Sequence, residues 1–324
     1  MMHNNKEYKT NPEVNECTSR GVCSVSPTVS AMRELMVLFF SNIAYYIAKI
    51  ENFGGVNDKL LNGFINDIAS LNFINAVNDK HLYDLLIRNY RLMRNVEKTY
   101  LEYCEKNQTD SHTLKLPFEF DENLRYPKVI SLGEKLSLIN YKKISQSQKN
   151  FTEILFVIIK SVCQNLMQLK DFNADFEAGT QAVIQALSVL NNPNCDVEKI
   201  KQKIEKLADI DNHITKLLSK YLFKNFGSIS QTRVSHSTRP NKAILVSGNG
   251  YTDLYNILEE TKDKNIDIYT HSNLLIAHAL EKFKNYDNLA AHYGNNTESC
   301  ILDYGTFPGA ILLTRGEQNN NEYL

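Results

Sequence analysis

The residues that could do chemistry here are two spaced thiols and a set of polar side chains placed just after short apolar runs. Cys17 and Cys23 stand six residues apart in Cys17-Thr-Ser-Arg-Gly-Val-Cys23, the one cysteine spacing among the six that reads as a joint task. Two thiolates fall short of the roughly four that a four-iron cluster needs. Cys104 and Cys163 lie inside helical patterns, where a thiol is usually a small buried hydrophobe. Towards the C-terminus, Ser247, Asn249, His271, Asn273, His292, Arg315 and Glu317 each follow or border a short apolar stretch. Hydroxyls, amides, imidazoles and a carboxylate in such places can bind a polar ligand, move a proton or hold a metal.

What must position them is read from hydrophobic period. Ala243-Ile-Leu-Val246 is a short continuous apolar run, followed by a helical pattern through Leu254, Ile257 and Leu258. A strand at Ile266-Asp-Ile-Tyr269, a helix over 273–284, a short strand at Leu289-Ala-Ala-His292 and a strand at Ala310-Ile-Leu-Leu313 come next. Apolar strands alternating with helices predict a parallel sheet of Rossmann-like type. In such a sheet the residues just past the strand ends share one rim, where ligands usually bind. That rim is expected to hold Ser247, Asn249, His271, His292 and Arg315, with Glu317 close by.

Upstream the chain reads as helices. Residues 1–26 are polar and irregular, and Ser26-Pro27 then supplies an N-cap and a first-turn proline for a helix to about Lys49. Helical patterns follow near 57–70 and 79–105, the last with Leu82, Leu85, Leu86, Tyr90, Met93 and Val96 at three-to-four spacing. Residues 106–126, polar and broken by prolines, read as a linker before a second helical set near 131–142, 147–170, 174–191 and 197–224. The expected fold class is therefore α plus α/β, two N-terminal helical bundles followed by a Rossmann-like parallel domain. The expected divisions are 1–26, 27–126, 127–241, 242–317 and a disordered tail at 318–324.

These blocks carry a resemblance. Ala243-Ile-Leu-Val-Ser-Gly-Asn249, Asp267-Ile-Tyr-Thr-His271-Ser-Asn273 and Phe307-Pro-Gly-Ala-Ile-Leu-Leu-Thr314-Arg-Gly-Glu317 resemble the central domain of the hybrid-cluster proteins. That family is also called the prismane proteins or hydroxylamine reductases. Its blocks run like S-G-H-D-L, Y-T-H-G-E-M-L-P-A-H and F-P-G-A-I-L-M-T-T-N-C. The resemblance assigns the His, the Glu and the final Cys as ligands of an iron-sulfur-oxygen cluster, and here those places hold Asn249, Asn273 and Glu317. Cys17 and Cys23 keep the spacing of the family's second N-terminal cysteine pair, up to Pro27, while no cysteine precedes residue 17. The family continues into a third domain with further ligands, so the resemblance implies a truncated and degenerate member. Carbon monoxide dehydrogenases are similar at a greater distance, and they share a cluster between two subunits.

Each candidate has a plain reading beside the chemical one. Neutral amides are poor substitutes for imidazole and carboxylate on iron, so Asn249 and Asn273 are expected to be ordinary loop or cap residues. His271 and His278 match family positions that are not ligands, and a supporting or helix-capping role is expected. Glu317 borders the polar run Gln318-Asn-Asn-Asn-Glu and reads as a solvated carboxylate. Ser247-Gly248-Asn249-Gly250 fits neither G-x-G-x-x-G nor a P-loop lysine. Cys17 and Cys23 are read as relict thiols, the alternative being a metal cluster bridged to a second chain.

Composition removes other classes. A net charge of -1 over 324 residues gives no field for nucleic acid or anionic lipid. The run from Met36 to Ala48 is too short to span a bilayer. The opening residues carry no apolar signal core, so a cytoplasmic protein without a disulfide framework is expected. Two function classes follow: a non-catalytic structural or interaction module, oligomeric or bound to a partner, and with no cofactor; or a hydroxylamine or nitric oxide reductase completed by a separate C-terminal subunit.

Overall fold

The computed structural model describes residues 26–51, 57–72, 79–143, 145–174, 176–190, 195–294 and 300–314. Cys17, Cys23, Arg315, Glu317 and the segment 318–324 lie outside the described residues. By contact the chain sorts into two units, Met1–Val56 with Asp79–Leu155 and Ile184–Gln202, and Asn57–Asn78 with Phe156–Val183 and Lys203–Leu324.

The first unit is built on α1 (Pro27–Glu51), which packs against α3 (Asp79–Asn107) and α4 (Tyr126–Lys143). The Ser26 hydroxyl accepts from the Val29 N–H at 3.1 Å, and Pro27 occupies the first turn, as the sequence requires of a helix start. Met32, Leu35, Met36, Phe39, Phe40, Ile43 and Ile47 are all fully buried, so the apolar run of α1 is a core helix. Among the described residues no helix is long and apolar enough to cross a membrane. Residues 108–125 form neither helix nor strand, yet they are packed down by tyrosines: Tyr83 donates to Leu124 O and Tyr90 to Phe120 O. The Phe120 ring sits 5.1 Å from Phe39 and 4.7 Å from Tyr90. Helix α4 starts at Tyr126, five residues earlier than expected, because Pro127 sits in its first turn, where a missing N–H costs no hydrogen bond.

The second unit contains α2 (Asp58–Ser70), much of α5 (Gln146–Asp171), α6 (Glu177–Val189) and α7 (Val197–Phe226), and the sheet. The four strands β1 (Lys242–Ser247), β2 (Ile266–His271), β3 (Leu289–His292) and β4 (Ala310–Leu313) are all parallel, in the order β3-β2-β1-β4. Alternation splits the strand side chains between two cores. Val246 and Ile268 pack with Leu254 and Leu258 of α8 (Tyr251–Thr261), while Leu245 and Tyr269 pack with Tyr304 of α9 (Cys300–Thr306) and Phe307. This is the parallel α/β architecture the sequence predicts.

Two elements differ from expectation. Residues 273–284 are not an α-helix but two 3-10 stretches, Ser272–Ala279 and Phe283–Asn285. Leu274, Ala277, Leu280 and Phe283 are fully buried, a strict period of three that suits 3-10 geometry and not 3.6 residues per turn. Helix α9 was not foreseen, since its seven residues include Gly305 and present no apolar stripe.

Candidate functional site

The rim is fixed by strand register. Ser247 pairs with His271 and also with Leu313, so the three parallel strands end at one level. Residues two positions beyond Ser247 and His271 must then emerge side by side. They do: Asn273 Nδ2 donates to Asn249 Oδ1 at 2.7 Å. Asn249 is 7% exposed while Asn273 is open to solvent, and the Asn273 carbonyl accepts from the Tyr251 hydroxyl at 3.2 Å. Burial pushes the Tyr251 phenol up to about 12, so it stays a donor at neutral pH.

The turn that carries Asn249 is held by a residue whose role the sequence did not reveal. Thr314 Oγ1 donates to Ser247 O at 2.7 Å and accepts from the Gly250 N–H at 3.0 Å. Gly248 has φ +117, open only to glycine at low cost, and a Cβ on Gly250 would lie 2.7 Å from Thr314 Cβ. Gly250, not Asn249, is the N-cap of α8, and it gives no side-chain cap. With the Gly250 amide engaged by Thr314, the turn is a tight strand-to-helix connection and not a phosphate loop.

Below the rim lies a Ser-His-Asp array. Ser247 Oγ is 2.7 Å from His271 Nδ1 and 2.9 Å from the Tyr304 hydroxyl, and His271 Nε2 is 3.1 Å from Asp303 Oδ2. The order resembles a hydrolytic triad, but Ser247 and His271 are both 0% exposed. A nucleophile needs an open approach for its electrophile, so the array serves as a cross-link between β1, β2 and α9. Gly294, at φ +72, leaves the room that Asp303 fills, since a Cβ there would lie 2.4 Å from its Cγ. His271 stands at the N-cap position of the first 3-10 stretch but makes no cap bond there. Asp303 and Tyr304 escaped the sequence reading with α9 itself.

A second network surrounds Thr270, which is fully buried. Its hydroxyl lies 2.8 Å from His278 Nε2 and 2.9 Å from His292 Nδ1. The Ala291 carbonyl beside His278 favours its protonated form, against the effect of burial. Burial, followed by the neighbouring His292 and His236, lowers the His278 pKa to about 4. Among the described residues no three His, Cys, Asp or Glu side chains form a metal-holding group. Cys104, Cys163 and Cys195 are free and buried; Cys163 is wholly enclosed, which raises its thiol pKa well above the ordinary value.

The profile of the Prismane/CO dehydrogenase family matches residues 11–316. The chain belongs to this family. The hydroxylamine reductases of Acetivibrio thermocellus and Gloeothece citriformis are 26% and 27% identical to it over 302 and 313 residues. That of Petrotoga mobilis is 26% identical over 306 residues. These matches cover 92–93% of this chain but only 53–55% of the relatives. The chain therefore spans about half the length of the curated relatives it matches. The resemblance drawn from the three C-terminal blocks holds along nearly the whole sequence.

Asn249, Asn273 and Glu317 stand where the resemblance places cluster ligands. Two of the three are neutral carboxamides, and they are hydrogen-bonded to each other. A carboxamide oxygen is a weak, uncharged donor where iron takes imidazole, carboxylate or thiolate. The described part of the site does not fit the iron-sulfur-oxygen cluster.

Proposed function

We propose that this Prismane/CO dehydrogenase family member has given up the hybrid cluster and works as a non-catalytic structural or protein-interaction module. The observation that carries this reading is the Asn249–Asn273 amide pair, 2.7 Å apart at two places where the family resemblance puts iron ligands. The Asn273 amide donates to the Asn249 amide oxygen at the place where a ligand would have to face a metal. The buried Ser247–His271–Asp303 array gives no substrate access that would replace the lost chemistry.

A second reading is favoured by the relatives, which are named hydroxylamine reductases and are about twice as long as the matched region. On it, a separate C-terminal subunit completes an iron-sulfur oxidoreductase. Iron and acid-labile sulfide per chain, measured with an absorption spectrum on protein purified without oxygen, separate the readings. The module is expected to be colourless, with iron far below one atom per chain. About four irons per dimer, abolished by Cys17→Ser or Cys23→Ser, would instead establish a bridged cluster and sink the cofactor-free reading. Iron that appears only on co-purification with a second subunit would support the reductase. An Asn249→His/Asn273→Glu double variant is expected to gain affinity for a divalent metal that the parent lacks, read by isothermal titration.

A further inference from the structure

Residues 230–239 run between α7 and β1 as a strap without helix or strand, exposed at every position but Val234. Its two ends are tied down. Ser230 N–H donates to Ala279 O at 3.0 Å, and Arg239 N–H donates to the Tyr269 hydroxyl at 2.7 Å. Between them the strap backbone makes one hydrogen bond to the rest of the unit among the described residues, from His292 N–H to Ser235 O at 3.0 Å. Tyr293 N–H turns inward to Thr270 O on β2, so His292 N–H points off the other side of β3. The order β3-β2-β1-β4 makes that side an edge of the sheet among the described residues, and the strap covers it at Ser235.

Imidazoles gather at this one tie. The ring centroids of His236 and His292 are 6.1 Å apart, edge to face, and His292 stacks 6.5 Å from His271. His278 joins them through Thr270 Oγ1, which lies 2.8 Å from its Nε2 and 2.9 Å from His292 Nδ1. The Asp303 carboxylate pairs with His271, at the end of the row away from the strap. Other charges sit at the strap ends, where Lys284 Nζ donates to Ser230 O and Arg239 pairs with Asp267, while Arg233 is exposed on the strap itself. Neutral rings can share the Thr270 hydroxyl as donor and acceptor, but two cationic rings both present N–H groups to its one oxygen. Imidazoles change charge between about pH 5 and pH 8, and rings this close titrate as a group. His278 already shows the cost, since burial, then His292 and His236, lower its pKa to about 4. We infer that residues 230–239 form a proton-operated cover: cations gathering on His236, His292 and His278 repel one another and free the strap from the β3 edge. The open strap binds more protons than the closed one, so falling pH favours opening.

The chain holds no tryptophan, so Ser237→Trp places a single indole on the exposed strap of the full chain. Its fluorescence anisotropy is expected to fall between about pH 6.5 and about pH 4.5, while far-UV ellipticity keeps its neutral-pH value. Over the same window the His292 amide should lose about tenfold of its hydrogen-exchange protection, after correction for the intrinsic rate. Two further changes at the exposed position 236, made in the Ser237→Trp background, shift the opening in opposite directions. His236→Gln removes the strap's imidazole and should delay opening by about one pH unit. His236→Arg fixes a cation there and should bring opening about one pH unit closer to neutrality. An anisotropy that stays level until ellipticity is lost would overturn the cover. So would an opening pH that either variant leaves unmoved.

Discussion

At the residue scale, the site was legible where parallel register made it so. Asn249 and Asn273 are 24 residues apart, the same separation as the paired Ser247 and His271, so the strands alone bring them together. What could not be read is the pair of inward hydroxyls, Thr270 and Thr314, which look like strand or turn residues, yet each anchors a network. The Thr270 network has a pH consequence. His278 titrates near 4 when folded, below the ordinary 6.5, chiefly because burial penalises its cation. Above pH 6.5 the group is neutral in both states and costs nothing. As pH falls from 6.5 to 4 the unfolded chain takes up a proton that the folded chain refuses, so stability falls through that window. The loss cannot exceed about 1.4 kcal/mol per pH unit for one proton. Urea midpoints from pH 7 to pH 4 should therefore drop less steeply for His278→Gln than for the parent. Equal slopes would remove His278 from the acid response.

At the element scale, close backbone approach decides what the helices tolerate. A Cβ on Gly133 would lie 2.1 Å from the Ala31 carbonyl oxygen, so α4 meets α1 through a missing side chain. Gly133→Ala must push the two helices apart and is expected to cost about 3 kcal/mol. Gly63 in α2 is exposed and has nothing within 4 Å of such a Cβ. There the same change only removes unfolded-chain freedom, and Gly63→Ala should stabilise by about 0.8–1.0 kcal/mol. Chemical denaturation of the pair should give shifts of opposite sign, and a neutral Gly133→Ala would contradict the described α1–α4 packing. The long helices were legible because their apolar stripes and the Ser26-Pro27 start agree with one another. The 3-10 stretches were misread because an apolar position every third residue mimics a short helical stripe. Only the unbroken spacing of Leu274, Ala277, Leu280 and Phe283 separates the two.

At the scale of the whole molecule, β4 is an edge of the sheet among the described residues. Among the described residues strand β4 pairs with β1 alone, in the order β3-β2-β1-β4. Doubly wound sheets commonly carry further strands beyond that position. Among the described residues Leu312 on β4 is 37% exposed and Leu302 on α9 is 73% exposed, the most open large apolar side chain of all. An edge strand with an exposed apolar side chain recruits another chain unless charge blocks it. The net charge of -1 offers little long-range repulsion between copies. Sedimentation velocity is therefore expected to show concentration-dependent self-association of the purified chain. A Leu302→Lys/Leu312→Lys variant should sediment as a monomer without a lower Tm, because both positions are solvent-facing in the single chain. A parent that stays monomeric at every concentration would show that this edge does not hold copies together. The interaction reading would then need a different protein.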